Sequence, residues 1–340
     1  MPLPRSLSTL LLLGGLCLTP AAMAEAAAGE VDSAACRRLD SGPGPHSMLL
    51  APAADALLIS SHDRRDFARP GMIQRHEIAS GRLSELPRRG EPAGLAFRPH
   101  HMALQQKDGE WRLWVINHDE PTPNGQKHSL LVYALQADGL SFRQRLSDPL
   151  LSSPNHLALS DDGDVYISND RRNGASVLEL ALRQSRATLV HYREGRGFRV
   201  VADGLSFTNG VLAERQRVLA VTTFGNTLLD YPRRADGSLG KARVAFRAEH
   251  LDGLFPGPEP GSYFTITHGP LLAFMQHKAN SKRRSASTLH VVNPDTGKSR
   301  VFFADDGARI SAMASAVIAG RTLYIGQSFD AFILACPLRD

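Results

Sequence analysis

The sequence predicts an all-β protein, a six-bladed β-propeller with four strands in each blade. Asp-Gly turn signals recur along the chain and separate short apolar runs, which is typical of many short strands joined as hairpins. One unit, a polar pair followed by two apolar runs around a turn, occurs six times, and six such units match six propeller blades. The units begin at His46, His100, Asn155, Asn209, Asp252 and Met313. Six matching units disfavour the alternatives, a pair of β-sandwiches or another all-β fold.

The N-terminus has the features of an export signal. Arg5 precedes a Leu-rich segment at 7–18, and Ala22-Met23-Ala24 is a small-x-small cleavage site. The apolar segment is too short to span a bilayer. We therefore expect residues 1–24 to be removed as a signal peptide and the protein to be secreted or periplasmic, with no membrane span. Residues 25–35 are predicted as a disordered leader, and residues 36–340 as the propeller.

Two cysteines remain after removal of the signal peptide. Cys36 and Cys336 lie near opposite ends of the chain. In an oxidising compartment this arrangement favours a disulfide, which would close the propeller between its N- and C-terminal strands. Two unpaired buried thiols are the alternative.

Composition excludes several classes of function. Lys and Arg total 39 against 34 Asp and Glu, so the net charge of +5 is too small for a nucleic-acid-binding face. Aromatic residues make up 6% of the chain, and none of their runs alternates with basic residues. The chain contains no dinucleotide fingerprint, phosphate-binding loop or Gly-x-Ser-x-Gly elbow. We therefore expect no organic cofactor and a small-molecule partner; the oligomeric state has no sequence signal.

The register of the repeat predicts a site at one mouth of the propeller. The innermost strands of the blades converge on the axis, so the first residues of the six units should form a ring there. Five of the six are polar. Oxygen ligands such as Asn and Asp suit Ca²⁺, whereas imidazoles suit transition metals. We expect one bound divalent cation; a ring of solvated polar side chains without a ligand is the alternative.

Several motifs then resemble the paraoxonase/arylesterase family, within the wider gluconolactonase and strictosidine-synthase-like group of six-bladed propellers. They include Pro99-His100, Val115-Ile116-Asn117-His118-Asp119, Ile167-Ser168-Asn169-Asp170, Phe207-Thr208-Asn209-Gly210 and Thr267-His268-Gly269-Pro270. The resemblance covers about residues 36–340. It implies hydrolysis of lactones and aryl esters, with one catalytic Ca²⁺ at the mouth and one structural Ca²⁺ in the channel.

The resemblance also implies roles for individual residues. They are His100 and His118 as a catalytic histidine pair, Asn155, Asn209 and Asp252 as calcium ligands, and Asp170 and His268 as pocket residues. We expect His156, which follows Asn155, to be a third pocket residue. In the implied reaction the metal polarises the carbonyl of a small ester or lactone. The neutral imidazole of His100 takes a proton from water, and His118 tunes His100.

Departures from the family pattern leave three interpretations open. The acidic pair of the first blade is His46-Ser47 here, the Asp after Asn155 is His156, and the Asn after Asp252 is Gly253. A shell with a single carboxylate binds Ca²⁺ weakly. The protein either binds one Ca²⁺ loosely with His46 completing the shell, holds a transition metal through His46 and His156, or has lost catalysis. In the last case it is a propeller that binds a small molecule or protein partner at its mouth.

Overall fold

The computed structural model describes residues 30–122, 125–175, 179 and 182–339. It confirms the six-bladed propeller, with six separate sheets of four or five strands. The predicted signal peptide and leader residues 25–29 lie outside the described part of the chain. One helix, α1 (Leu271–Ala279), follows a strand of the fifth blade, and a 3₁₀ turn spans Ser33–Ala35. Across the described ranges, no helix has both the length and the apolar character needed to cross a membrane.

The strands follow one another as antiparallel meanders. Strand β1 (Arg37–Asp40) belongs to the closing blade. Blade 1 contains β2 (Pro45–Leu50), β3 (Ala56–Ser61), β4 (Met72–Glu77) and β5 (Leu83–Glu85). The short β6 (Arg88–Arg89) pairs in parallel with the outer edge of blade 2. Blade 2 contains β7 (Pro99–Lys107), β8 (Glu110–Thr122), β9 (Gly125–Gln136) and β10 (Gly139–Leu146).

The remaining four blades repeat this order. Blade 3 contains β11 (Pro154–Leu159), β12 (Val165–Asn169), β13 (Ala187–Arg193) and β14 (Gly197–Leu205). Blade 4 contains β15 (Thr208–Ala213), β16 (Arg217–Thr222), β17 (Thr227–Pro232) and β18 (Arg243–Arg247). Blade 5 contains β19 (Leu251–Pro256), β20 (Tyr263–His268), β21 (Ser287–Val292) and β22 (Ser299–Asp305). Blade 6 contains β23 (Met313–Ala319), β24 (Thr322–Gln327), β25 (Phe332–Pro337) and, at its outer edge, β1.

Both ends of the chain close the ring in blade 6. Strand β1 pairs antiparallel with β25, and the predicted disulfide between Cys36 and Cys336 is confirmed beside this pairing. The contacts extend further toward the N-terminus than expected, because Val31 forms a β-bridge with Leu338 and is buried. The prediction of a disordered leader is therefore wrong for residues 30–35, which pack against the last strand.

Apolar side chains form six clusters, one between each pair of neighbouring blades. Because side chains alternate across a strand, a single strand supplies two clusters. Leu58 of β3 packs toward blade 2, whereas Leu57 and Ile59 pack toward blade 6. Burial on both faces explains why the middle strands are continuous apolar runs.

The innermost strands place the polar residues at the mouth. Strands β2, β7, β11, β15, β19 and β23 contact one another in a closed circle around the axis. The strand pairing is interrupted near the start of each, at the bulges that include His46, His100 and Asn155. A bulge re-aims the side chain of the extra residue. In β23 the bulged residue is Ala314; the expected ring member Met313 pairs with Gln327 and is buried in the apolar core.

Candidate active site at the propeller mouth

The predicted metal-ligating residues lie on neighbouring innermost strands, as the repeat register indicated. His46 is on β2, Asn155 on β11, Asn209 on β15 and Asp252 on β19. The first three are 6–9% exposed, so they face the enclosed end of the channel rather than bulk solvent. His100 of β7 completes this arc, and its ring makes an edge contact with the ring of His46 at 4.3 Å between centroids.

Three histidines form a continuous hydrogen-bonded chain that starts at the mouth. Nδ1 of His100 lies 2.6 Å from Nε2 of His118, and Nδ1 of His118 lies 2.9 Å from Nδ1 of His128. The hairpin of β8 and β9 explains the second contact, since His118 and His128 are paired across it. Sequence reasoning missed His128. The spacing in the sequence does not reveal it, because the register of this hairpin shifts between His118 and Pro121.

Burial keeps these imidazoles neutral. It lowers the pKa values of His46, His100 and His118 well below the ordinary value of 6.5. Burial also lowers the pKa of His128, to about 4, although the charge of Asp119 opposes the shift. A neutral imidazole has one N–H donor and one acceptor nitrogen. His100 therefore has a lone pair to offer, and its Nε2 is buried with no hydrogen-bond partner among the described residues.

His101 and His156 are not part of this hydrogen-bonded chain of histidines. They connect neighbouring innermost strands. Each follows a ring residue, and each accepts a backbone N–H from the next blade through Nδ1, at 3.4 Å from Leu157 and 3.3 Å from Val211. Their rings stack with centroids 3.3 Å apart. Burial lowers the pKa of His156 to about 3. The ring of His156 thus bridges blades 3 and 4, and its Nε2 is buried without a partner within the described ranges.

Two of the three predicted pocket residues, Asp170 and His268, each contact a ring residue. His268 Nε2 lies 2.8 Å from Oδ2 of Asp252. The Asp170 carboxylate hydrogen-bonds the side chain of Asn155, and both of its oxygens lie 2.9 Å from Nη1 of Arg171. Burial raises the pKa of Asp170, while the Arg171 charge opposes this. The structure therefore brings both residues to the site.

Arg64 is a site residue that sequence reasoning missed. It lies in the loop after β3, and its positive charge adds to burial in lowering the pKa values of His46 and His100. Burial lowers the pKa of Arg64 itself to about 10, opposed by the charge of Asp252. The adjacent Arg65 anchors the loop, since its guanidinium donates to the carbonyls of His277 and Lys278. No motif in the sequence marks Arg64.

The donor atoms at the mouth fit a cation held mainly by neutral ligands. Asn155 Oδ1 and His46 Nδ1 are buried with no hydrogen-bond partner in the described part of the chain, so both are open to a ligand. Asp252 contributes the one carboxylate of the predicted shell, and it is shared with His268. No three His, Cys, Asp or Glu side chains of the described residues come together as a metal-binding group. The set therefore differs from a carboxylate-rich calcium cage.

Comparison with known proteins finds relatives at low sequence identity. Serum paraoxonase/arylesterase 1 of Rattus norvegicus is 22% identical over 285 residues, which cover 80% of this chain and 78% of that protein. Mechanosensory abnormality protein 6 of Caenorhabditis elegans is 24% identical over 249 residues, or 69% of this chain. The match spans 64% of the length of that relative, which is less than two thirds.

Solved structures share the fold. A gluconolactonase from Xanthomonas campestris is 16% identical with a TM-score of 0.58, and 89% of each chain is covered. A luciferin-regenerating enzyme is 8% identical with a TM-score of 0.60, covering 89% of this chain and 94% of its own. The sequence pattern that defines the arylesterase family matches residues 69–338, which is most of the chain. This protein therefore belongs to the arylesterase family.

Proposed function

We propose that this protein is an exported, metal-dependent carboxylic-ester hydrolase of lactones or aryl esters, with His100 as its general base. One observation carries the proposal. The neutral ring of His100 is held at 2.6 Å by His118 through Nδ1, while its Nε2 is buried at the mouth and unpaired within the described ranges. A base must have a free lone pair facing the reacting water, and this arrangement provides one.

The chemistry at the mouth follows from charge. When water attacks an ester carbonyl, negative charge develops on the carbonyl oxygen and must be stabilised. The guanidinium of Arg64 supplies positive charge there. A divalent cation, Ca²⁺ or a transition metal, would be held by Asn155, Asn209, Asp252 and His46, and when bound it would polarise the substrate carbonyl. His268 orients the Asp252 carboxylate through their 2.8 Å contact.

Export is part of the proposal. The Leu-rich segment at 7–18 and the Ala22-Met23-Ala24 site support a cleaved signal peptide. The disulfide between Cys36 and Cys336 supports an oxidising compartment outside the cytosol. Mass analysis of the N-terminus of the protein purified from its native host tests this; a mature chain that retains residues 1–24 would contradict it.

The test of catalysis is His100→Gln, which keeps polarity and approximate size but cannot act as a base at neutral pH. We expect kcat/KM on a panel of γ- and δ-lactones and phenyl esters to fall by roughly 10²–10⁴-fold. His290→Gln is the matched control, since His290 lies on β21 away from the three-histidine chain. Undiminished activity in His100→Gln would remove His100 as the base.

A second candidate function is a propeller without catalysis that binds a small molecule or protein partner at its mouth. The observation that favours it is the single carboxylate of the shell, Asp252, which is already paired with His268 while Arg64 supplies positive charge nearby. Wild-type protein that shows no turnover over the same panel with Ca²⁺, Mn²⁺ or Zn²⁺ supplied would favour this function over the first.

A further inference from the structure

His128 extends the histidine pair of the proposed function by one member and leads away from the mouth. We propose that His100, His118 and His128 form a proton wire, in which His128 receives the positive charge generated when water is deprotonated. The inference rests on the proposed function for the direction of proton flow. His128 does not touch the substrate; it acts through His118.

The hydrogen-bond geometry permits one proton arrangement when His100 is the base. Its Nε2 must then be free of hydrogen, so Nδ1–H donates to Nε2 of His118 across the 2.6 Å contact. Because Nε2 of His118 accepts, its proton sits on Nδ1 and donates to Nδ1 of His128 across 2.9 Å. The proton of His128 is therefore on Nε2. All three rings point their acceptors toward the mouth and their donors away from it.

This arrangement moves a charge without moving a side chain. The attacking water loses a proton to Nε2 of His100 as its oxygen bonds to the substrate carbonyl carbon. The Nδ1 proton of His100 passes to Nε2 of His118, and the Nδ1 proton of His118 passes to Nδ1 of His128. His128 is then an imidazolium. When the ester C–O bond breaks, the protons return along the same path and the leaving oxygen is protonated by His100.

Fixed charges favour the outer end of the wire. The Asp119 carboxylate is held in place by three donors: Asn117 Nδ2 at 2.6 Å, Ser129 Oγ at 2.9 Å and Arg145 Nη2 at 2.7 Å. Its negative charge raises the pKa of His128, against the larger effect of burial and the smaller opposing charge of Arg171. The pKa of His118 is lowered by burial and also by the nearby charge of Arg64. A positive charge is thus more stable on His128 than on His118.

The direction of the wire can be read without substrate, from the ring nitrogen shifts of the intact ¹⁵N-histidine-labelled protein. We expect His100 and His118 to carry their protons on Nδ1 and His128 to carry its proton on Nε2. A His118 ring protonated on Nε2 would overturn the proposal, because the chain would then run toward the mouth. This measurement stays decisive even if the wild type shows no turnover, an outcome that would count against the proposed function instead.

His128→Gln separates a relay from simple positioning. The Gln side-chain oxygen can still accept from Nδ1 of His118 but cannot take up a proton. We expect the His118 tautomer to be retained, KM to change little, and kcat to fall by roughly tenfold or more, less than for the base itself. His76→Phe, a buried histidine of blade 1, is the control for general loss of packing. Unchanged kcat in His128→Gln would overturn the relay.

If His128→Gln does not fold, the proton wire can still be tested in the wild-type protein, by counting the protons that move in the rate-limiting step. The rate measured in mixtures of light and heavy water should depend on the deuterium fraction along a curve, because several protons move together. A straight line would indicate one moving proton and would overturn the wire.

Discussion

Two buried polar clusters of this propeller differ in how completely their atoms are paired. Between blades 3 and 4, the fully buried Asp164 carboxylate contacts three side chains: His191 Nε2 at 2.9 Å, Arg193, and Arg233 Nη2 at 2.7 Å. Arg233 in turn donates to Tyr166 at 2.8 Å. At the mouth, by contrast, His46 Nδ1, His100 Nε2 and Asn155 Oδ1 are buried and unpaired in the described part of the chain.

The difference separates a structural cluster from a functional one. Buried polar groups in native proteins are nearly always hydrogen-bonded, because an unpaired one costs about 1–3 kcal/mol of unfolding free energy. The Asp164 carboxylate meets that rule through Arg193 and Arg233, and its network joins two blades. Only His191 Nε2, 2.9 Å from the carboxylate, lacks hydrogen-bond geometry to a described residue in this cluster. The mouth departs from it at three neighbouring strands, β2, β7 and β11. We infer that the unpaired polar atoms at the mouth bind a ligand.

The largest effect should come from breaking the paired cluster. Asp164→Ala leaves Arg233 and His191 buried without their carboxylate, so the free energy of unfolding should fall by about 3–5 kcal/mol, as for other buried ion pairs broken at one partner. Activity per folded molecule should not change, since the mouth is untouched. Urea unfolding measures the loss. Asp162→Ala is the control: its half-exposed carboxylate also binds Arg233, and its removal should cost less than about 1 kcal/mol. Equal losses in both variants would contradict the comparison.

The next effect is the pH dependence of the free energy of unfolding, which should differ between the mouth and the Asp164 cluster. His62 is a buried histidine directly after β3, and burial together with the charge of Arg64 lowers its folded pKa to about 4. The folded pKa is also about 4 for His128 and about 3 for His156, against an ordinary value of 6.5. The unfolded chain therefore binds more protons between about pH 6.5 and pH 3, and the free energy of unfolding decreases as the pH drops through that window. Each of these histidines should contribute about 2–3 kcal/mol to the decrease by pH 4.

The Asp164 network responds at lower pH. Its hydrogen bonds to Arg193, His191 and Arg233 hold the carboxyl pKa below the ordinary value of 3.8, although burial opposes them. Its contribution is thus complete above about pH 4 and is lost only as the pH falls further. Urea unfolding at several pH values checks both windows. His62→Gln should make the upper slope shallower; a flat profile from pH 7.5 to 5 would show that the mouth histidines are not held neutral.

The smallest effect concerns the cation. A ligand that binds only the folded state stabilises it, and a weak site near saturation contributes about 1–3 kcal/mol. Asp252→Ala removes the carboxylate of the predicted shell, so it should abolish the increase in melting temperature produced by Ca²⁺ or Mn²⁺. Metal content of the purified protein is the second measurement. A wild-type melting temperature that is the same with chelator and with added cation would refute the metal site.

Much of the fold and part of the site could be predicted from the sequence, because the strands of each blade are close together in the chain. Each blade is a short-range meander, so its turns and apolar runs lie within about 50 residues, and the repeat exposes the register. That register placed His46, His100 and Asn155 on the correct strands. It failed by one residue in the sixth strand, where Ala314 is the bulged residue and Met313 pairs with Gln327.

The rest depended on contacts between distant segments. Arg64 reaches the mouth from a loop whose sequence has no repeat equivalent, and Arg65 anchors that loop to α1 more than 200 residues away in the chain. His156 looked like an open ligand in the sequence, yet one of its nitrogens accepts a backbone N–H of blade 4. Such pairings depend on side-chain direction, which spacing alone does not determine.

The pairing of β1 with β25 also sets the order in which the molecule can be finished. One edge of blade 6 is among the first parts of the propeller to be synthesised, and its other three strands are the last. Until blade 6 is synthesised, the other five blades form an open arc whose end strands lack their neighbours. The circle of innermost strands therefore closes only when β23 joins β2 and β19, so a chain truncated before β23 should have no closed site.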